Sequence, residues 1–150
     1  MNFTGERIKK EKILDVAFNV SDYMTENLIF FNENDSLRKT LEKLVENKIT
    51  GGPVVNNNNE LVGMISETDF IKCVSDSRYF NMPWGNEKLS SLMSRTIETI
   101  NANDTIFDAV NQFSISTKKR FPVLKEGKLV GQLNQHDVLL AALRINSGKW

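Results

Sequence analysis

Two stretches of the chain, GMISETDF from Gly63 and GQLNQHDV from Gly131, share one spacing: glycine, then Ser66 or Asn134, then Asp69 or Asp137, at equal intervals. The likeness runs upstream at a constant displacement. Met24 matches Met93, Asn32 matches Asn101, Asp35 matches Asp104, and Pro53-Val54 matches Pro122-Val123, with one residue lost in a later turn. Landmarks matched in this order mark an internal duplication. The expected organisation is a helical extension over 1–19, a first repeat over 20–75, a linker over 76–87, a second repeat over 88–144 and a tail over 145–150. A repeat of about 55 residues is too small to bury its apolar faces comfortably alone. Two copies packed together, with clefts between them, supply the missing half of each core.

Each repeat carries the same coarse order. An extended segment (28–31, 97–100) meets a helix-start signal at Asn34-Asp35-Ser36 or Asn103-Asp104-Thr105. The helix that follows places Leu37, Leu41, Leu44 and Val45, or Ile106, Val110 and Phe113, on one face. A strand at Pro53–Val55 or Phe121–Leu124 turns at Asn56–Asn59 or Glu126-Gly127 into a second strand, Leu61–Ile65 or Leu129–Leu133. A second helix is expected over 69–74 and 137–143, with Asp69 and Asp137 as favoured N-caps. The fold class is α/β (α+β): β-α-β-β-α, twice. The N-terminal extension, with Ile8, Ile13, Leu14, Val16 and Phe18 among lysines, reads as an amphipathic helix. The aromatic linker, with Tyr79, Phe80 and Trp84, is expected to pack on the core or on another subunit.

Composition excludes several classes of function. Nineteen basic and nineteen acidic side chains cancel, so no global positive field favours non-specific nucleic-acid binding, and only a local basic patch stays open. Cys73 is the only cysteine and sits in an apolar run, so no intrachain disulfide forms and it reads as buried filler. His136 is the only histidine, and no cluster of metal ligands accompanies it. There is no phosphate-cradling glycine loop and no recognisable acid–base pair, so the chain is read as not an enzyme. No apolar run approaches the roughly 20 residues that cross a bilayer, and no signal-peptide pattern opens the chain. A cytoplasmic location, with no membrane partner, is the expectation.

The duplicated motifs resemble a known family. Tyr23-Met24-Thr25 and Leu92-Met93-Ser94, Ile49-Thr50-Gly51-Gly52-Pro53-Val54-Val55 and Arg120-Phe121-Pro122-Val123, and the endings Gly63…Ser66…Asp69 and Gly131…Asn134…Asp137 are similar to a pair of CBS domains, the assembly called a Bateman module. The resemblance covers about residues 20–144. It implies modules that dimerise into a homodimer. It also implies regulatory binding of an adenine ligand (AMP, ADP, ATP or S-adenosylmethionine) with no required cofactor, and a change relayed to a regulated protein the sequence does not name.

Carried over residue by residue, the resemblance implies two sites, each mixing elements of both repeats. The first joins Ile65, Ser66, Thr68 and Asp69 to Thr96, Ile97, Lys119, Arg120 and Phe121. A carboxylate accepts from both ribose hydroxyls, an apolar slot takes the base, and Arg120 reaches phosphate. The second joins Asn134, His136 and Asp137 to Asn27, Leu28, Ile29, Thr50 and Gly51, and it departs from the pattern. Asn134 replaces Ser or Thr, and Gly51-Gly52 replace the basic pre-proline residue. Those glycines are read first as turn geometry. Two other readings stay open: a constitutive interaction or dimerisation module whose clefts are vestigial, and RNA binding through Lys118–Arg120, which the balanced net charge disfavours.

Overall fold

The computed structural model describes residues 18–79 and 83–147. The expected N-terminal helix therefore lies almost wholly outside the described residues, as does Phe80 of the linker.

Two three-stranded sheets carry the chain, each from one repeat. In the first, β1 (Phe31–Asn32), β2 (Gly51–Val55) and β3 (Leu61–Ser66) lie in the order β1-β2-β3. β1 runs parallel to β2, and β2 runs antiparallel to β3. The helix between β1 and β2 spans Leu37–Asn47, and a second follows β3 over Glu67–Tyr79. In the second repeat β4 (Ile100–Asn101), β5 (Arg120–Lys125) and β6 (Lys128–Asn134) repeat this order, with helices at Ile106–Ile115 and Gln135–Ser147. Numbered in chain order after the short α1 (Val20–Tyr23), the four helices are α2, α3, α4 and α5.

Three details differ from the sequence expectation. The extended segments enter the sheets only at their ends: Phe31 pairs with Val54 and Ile100 with Val123, and the residues before them have no ladder partner among the described residues. Val45 is 68% exposed and Val110 42% exposed, while Thr40 and Ala109 are buried in their place. The buried stripe thus runs Leu37-Thr40-Leu44 and Ile106-Ala109. Thr40 is tolerated inside because its hydroxyl donates to Ser36 O at 2.9 Å. Gly51 and Gly52 are strand residues and not a turn. A Cβ on Gly51 would collide with the carbonyl of Ile65 across the ladder, and one on Gly52 would meet the Phe31 ring at 3.1 Å.

The chain forms two compact units, and neither is a contiguous repeat. One comprises 29–97 with 127–129; the other comprises 98–126 and 130–147 with the leading residues 18–28. Each unit therefore takes the leading segment of the other repeat. In the first-repeat unit Leu89 N–H donates to Asp35 O at 2.8 Å and Ser90 N–H to Glu33 O at 3.0 Å. In the second-repeat unit Val20 N–H donates to Asp104 O at 2.8 Å and Ser21 N–H to Ala102 O at 3.0 Å. Two methionines lock the exchange. A Cβ on Gly63 would lie 2.6 Å from Met93 Sδ, and one on Gly131 would lie 2.8 Å from Met24 Sδ, so only glycine admits the thioether there.

Each unit has its own core. Phe31, Leu37, Leu44, Val54, Ile65, Phe70, Leu89 and Met93 fill the first-repeat unit, with Trp84 packed at its margin. Val20, Ile100, Ile106, Ala109, Phe121, Val123, Leu133 and Val138 are among those filling the second. Each large aliphatic or aromatic side chain so buried contributes about 1.5–3 kcal/mol.

Candidate ligand-binding site

The strand-to-helix junctions carry the most specific chemistry. At β3–α3 the Ser66 amide N–H and hydroxyl both donate to Asp69 Oδ2, at 2.9 and 3.0 Å, and Asp69 N–H donates to Ser66 Oγ at 3.4 Å. At β6–α5 the Asn134 N–H donates to Asp137 Oδ2 at 2.9 Å, and Asp137 N–H donates to Asn134 Oδ1 at 2.8 Å. These are reciprocal capping boxes. Asp69 and Asp137 are therefore not the N-caps expected from sequence; Ser66 and Asn134 are, and the helices begin two residues earlier, at Glu67 and Gln135. One carboxylate oxygen is fixed by the cap. The other, Oδ1, has no hydrogen-bond partner among the described residues at either position. Both aspartates are half-buried, so each junction presents a rigidly oriented acceptor.

The start of the preceding strand lies beside each junction. Glu67 N–H donates to Thr50 O at 2.9 Å, and Gly51 pairs with Ser66. In the other unit Gln135 N–H donates to Lys119 O at 3.1 Å, which brings the basic segment Lys119-Arg120 next to Asn134 and Asp137. Lys119 and Arg120 are exposed, and Arg120 makes no ion pair among the described residues. Phe121 is fully buried and stacks on Phe113 at 4.2 Å, and Ile65 is in the core of the first-repeat unit. These two side chains are committed to packing, so their backbone groups are what remain for a ligand.

The leading segments complete each unit. Met64 bridges Ser94 with N–H···O distances of 2.8 and 2.9 Å, and Thr96 and Ile97 follow within the unit that holds Ser66, Thr68 and Asp69. Thr25 bridges Gln132 at 2.8 and 2.9 Å, and Asn27 and Leu28 follow within the unit that holds Asn134, His136 and Asp137. Of the residues expected at the first site, Lys119, Arg120 and Phe121 belong to the second-repeat unit. Of those expected at the second, Ile29, Thr50 and Gly51 belong to the first-repeat unit.

Sequence reasoning missed one feature. A cavity of about 410 Å³ opens along α3 beside the linker, lined among others by Asp69, Cys73, Asp76, Trp84 and Glu87. Its only sequence signal is the aromatic linker. Burial raises the Cys73 thiol above its ordinary 9.0, and the Glu87 and Asp76 carboxylates add to the shift, which favours the protonated thiol. His136 is exposed in the first turn of α5. No group of three or more potential metal ligands occurs among the described residues, and no helix among them is long and apolar enough to cross a membrane.

The duplicated junctions, the exchanged leading segments and the glycine–methionine contacts recur in both halves, and a family model accounts for both. The model of the CBS domain matches residues 20–76 and again 89–144. The chain belongs to the CBS domain family. Its two CBS domains lie in tandem, as in CBS-pair proteins and the Bateman module. An uncharacterized protein of Methanocaldococcus jannaschii is 27% identical over 135 residues, covering 89% of this chain and 46% of that protein. The chloroplastic CBS domain-containing protein CBSX2 of Arabidopsis thaliana is 30% identical over 155 residues, covering 86% of this chain and 65% of that protein. The chain thus spans about half to two-thirds of the length of these curated relatives. The crystal structure of CBSX2 in complex with AMP matches with a TM-score of 0.71 at 30% identity, covering 86% of this chain and 98% of the solved one. The CBS domain pair of protein MJ0100, solved with 5′-methylthioadenosine and S-adenosyl-L-methionine, shares the fold with a TM-score of 0.63 at 20% identity, covering 81% of this chain and 97% of the solved one.

Proposed function

We propose that this CBS pair is a regulatory module that binds an adenine nucleotide of the AMP, ADP or ATP type between its two repeats and passes the resulting rearrangement to a partner protein. The observation that carries this reading is the free Oδ1 of Asp69, held in place by the cap on Oδ2. An oriented carboxylate with one unspent oxygen fits a vicinal diol, which brings two donors. Thr96 and Ile97 supply a slot for the base, and the exposed guanidinium of Arg120 takes phosphate, with Lys119 beside it. Asp137 with Asn134, His136, Asn27 and Leu28 forms a second site, completed by Ile29, Thr50 and Gly51. S-adenosylmethionine is the alternative adenine ligand, in line with the ligands of MJ0100. The ligand shifts the arrangement only by its differential affinity for the two states.

The module acts as a homodimer in this reading. Val45, Ile71 and Val74 on α2 and α3, and Val110, Leu139 and Leu143 on α4 and α5, are exposed apolar residues that a second copy would cover. The same faces favour a second reading, a constitutive interaction module. The two separate by calorimetry with AMP, ADP, ATP and S-adenosylmethionine on the wild type, Asp69→Ala and Arg120→Ala. The regulatory reading expects binding that both substitutions weaken. Absence of heat and of thermal shift across the panel contradicts the regulatory reading and favours the interaction module.

A further inference from the structure

The linker packs along α2 and leaves a cavity of about 480 Å³ between them. Backbone bonds fix the linker there: Leu37 N–H donates to Glu87 O at 2.9 Å, and Arg38 N–H to Gly85 O at 3.0 Å. Gly85 takes a φ of +112°, a left-handed value that suits glycine, and the Trp84 indole before it lines the cavity. Leu41 and the exposed Val45, one turn apart on α2, add an aliphatic wall.

The charges around this cavity do not balance. Arg38, Glu42 and Glu46 line it at four-residue steps along α2. Arg38 Nε is spent on Glu42 at 3.2 Å, and Glu46 makes no ion pair among the described residues. Glu46 also stands in the last turn of α2, which holds no basic residue and where the helix dipole disfavours a carboxylate. An anion finds no backbone donor here. The first-turn amides of α2 are all taken, two by the linker carbonyls and those of Lys39 and Thr40 by Ser36. The complementary occupant is a cation with an apolar body, since an indole face and a carboxylate both attract an ammonium group.

We propose that the Trp84 cavity is a second ligand site, which takes a small alkylammonium compound with its charge against Glu46 and its chain against Trp84 and Leu41. The site is separate from the nucleotide site proposed above and does not rest on it. Trp84 alone also lines the cavity beside Asp69.

The test is titration of the full chain with n-hexylammonium, with hexanol and hexanoate as its uncharged and anionic counterparts. Trp84 and Trp150 are the only tryptophans, so Trp150→Phe makes Trp84 fluorescence the local reporter, and calorimetry gives the affinities. The ammonium is expected to bind about 5-fold or more tighter than hexanol, and hexanoate more weakly than either. Glu46→Gln, at an exposed position, is expected to bring the ammonium down to the level of hexanol, and Trp84→Leu to weaken it by a further factor of about 3 or more. Asp69→Ala is expected to leave it unchanged. No change in Trp84 fluorescence, equal affinity for the ammonium and the alcohol, or ammonium binding lost in Asp69→Ala and kept in Glu46→Gln each overturns the proposal, whatever the outcome with AMP.

Discussion

The proposed function gives Asp69 two separable jobs, and a pair of substitutions divides them. Its Oδ2 holds the start of α3 through Ser66, and its Oδ1 is assigned to ligand. Asp69→Asn keeps an acceptor for the cap but removes the charge; Asp69→Ala removes both. A lost capping interaction costs typically about 1 kcal/mol. For a chain of this size that is a fall in melting temperature of roughly 2–4 °C for Asp69→Ala. The asparagine is expected to stay within about 0.5 kcal/mol of the wild type. Hydrogen bonds to a charged group are worth about 1.5–3 kcal/mol, so removing the charge weakens AMP by roughly 10- to 150-fold. Calorimetry and thermal unfolding on the same preparations give both numbers. Asp69→Asn that binds AMP like the wild type refutes the assignment of Oδ1. An affinity that falls only in step with the melting temperature refutes the separation of roles.

Three further outcomes follow from the geometry. Gly63→Ala forces a methyl against Met93 Sδ and the Ser94 carbonyl, and is expected to cost about 1–3 kcal/mol in urea unfolding, with Gly131→Ala behaving alike. The raised Cys73 value means that its protonated form contributes stability below the ordinary 9.0, lost as pH rises through the folded-state value. Cys73→Ser should therefore flatten the alkaline fall in stability, and the native thiol should react slowly with a disulfide reagent at pH 8. Ile71→Arg combined with Leu139→Arg should shift the mass in solution from twice that of the chain to once, read by light scattering.

The repeat was legible because its landmarks are sterically obligatory. Met24 and Met93 sit over Gly131 and Gly63 where no Cβ fits, so both members of each pair stand out in the sequence. The exchange of leading segments was not legible as a packing scheme. It depends on hydrogen bonds such as Leu89 N–H to Asp35 O, between backbone groups that leave no compositional trace. The apolar period placed a helix through Leu37, Leu41 and Leu44, as observed, but put Val45 on the buried face. A residue at the flank of an amphipathic stripe is decided by its neighbours, and Thr40 took the inner position once Ser36 O satisfied its hydroxyl. The aspartates were found, but at the wrong helix position. Asp serves both as N-cap and as the third residue of a capping box, and only the bond from Ser66 N–H distinguishes the two. Gly51 and Gly52 read from sequence as turn geometry, whereas the close approach of Ile65 O and of the Phe31 ring accounts for them within the strand.

The proposed function gives the carboxylate of Asp69 to the ligand's sugar and the guanidinium of Arg120 to its phosphate. The direct measurement is the affinity for AMP and for adenosine of the wild type, Asp69→Asn and Arg120→Ala in one calorimetric series. Asp69→Asn is expected to weaken both ligands by a similar factor, and Arg120→Ala to weaken AMP alone. AMP binding that is indifferent to Arg120→Ala, or adenosine binding that falls with it as far as AMP, would contradict the account.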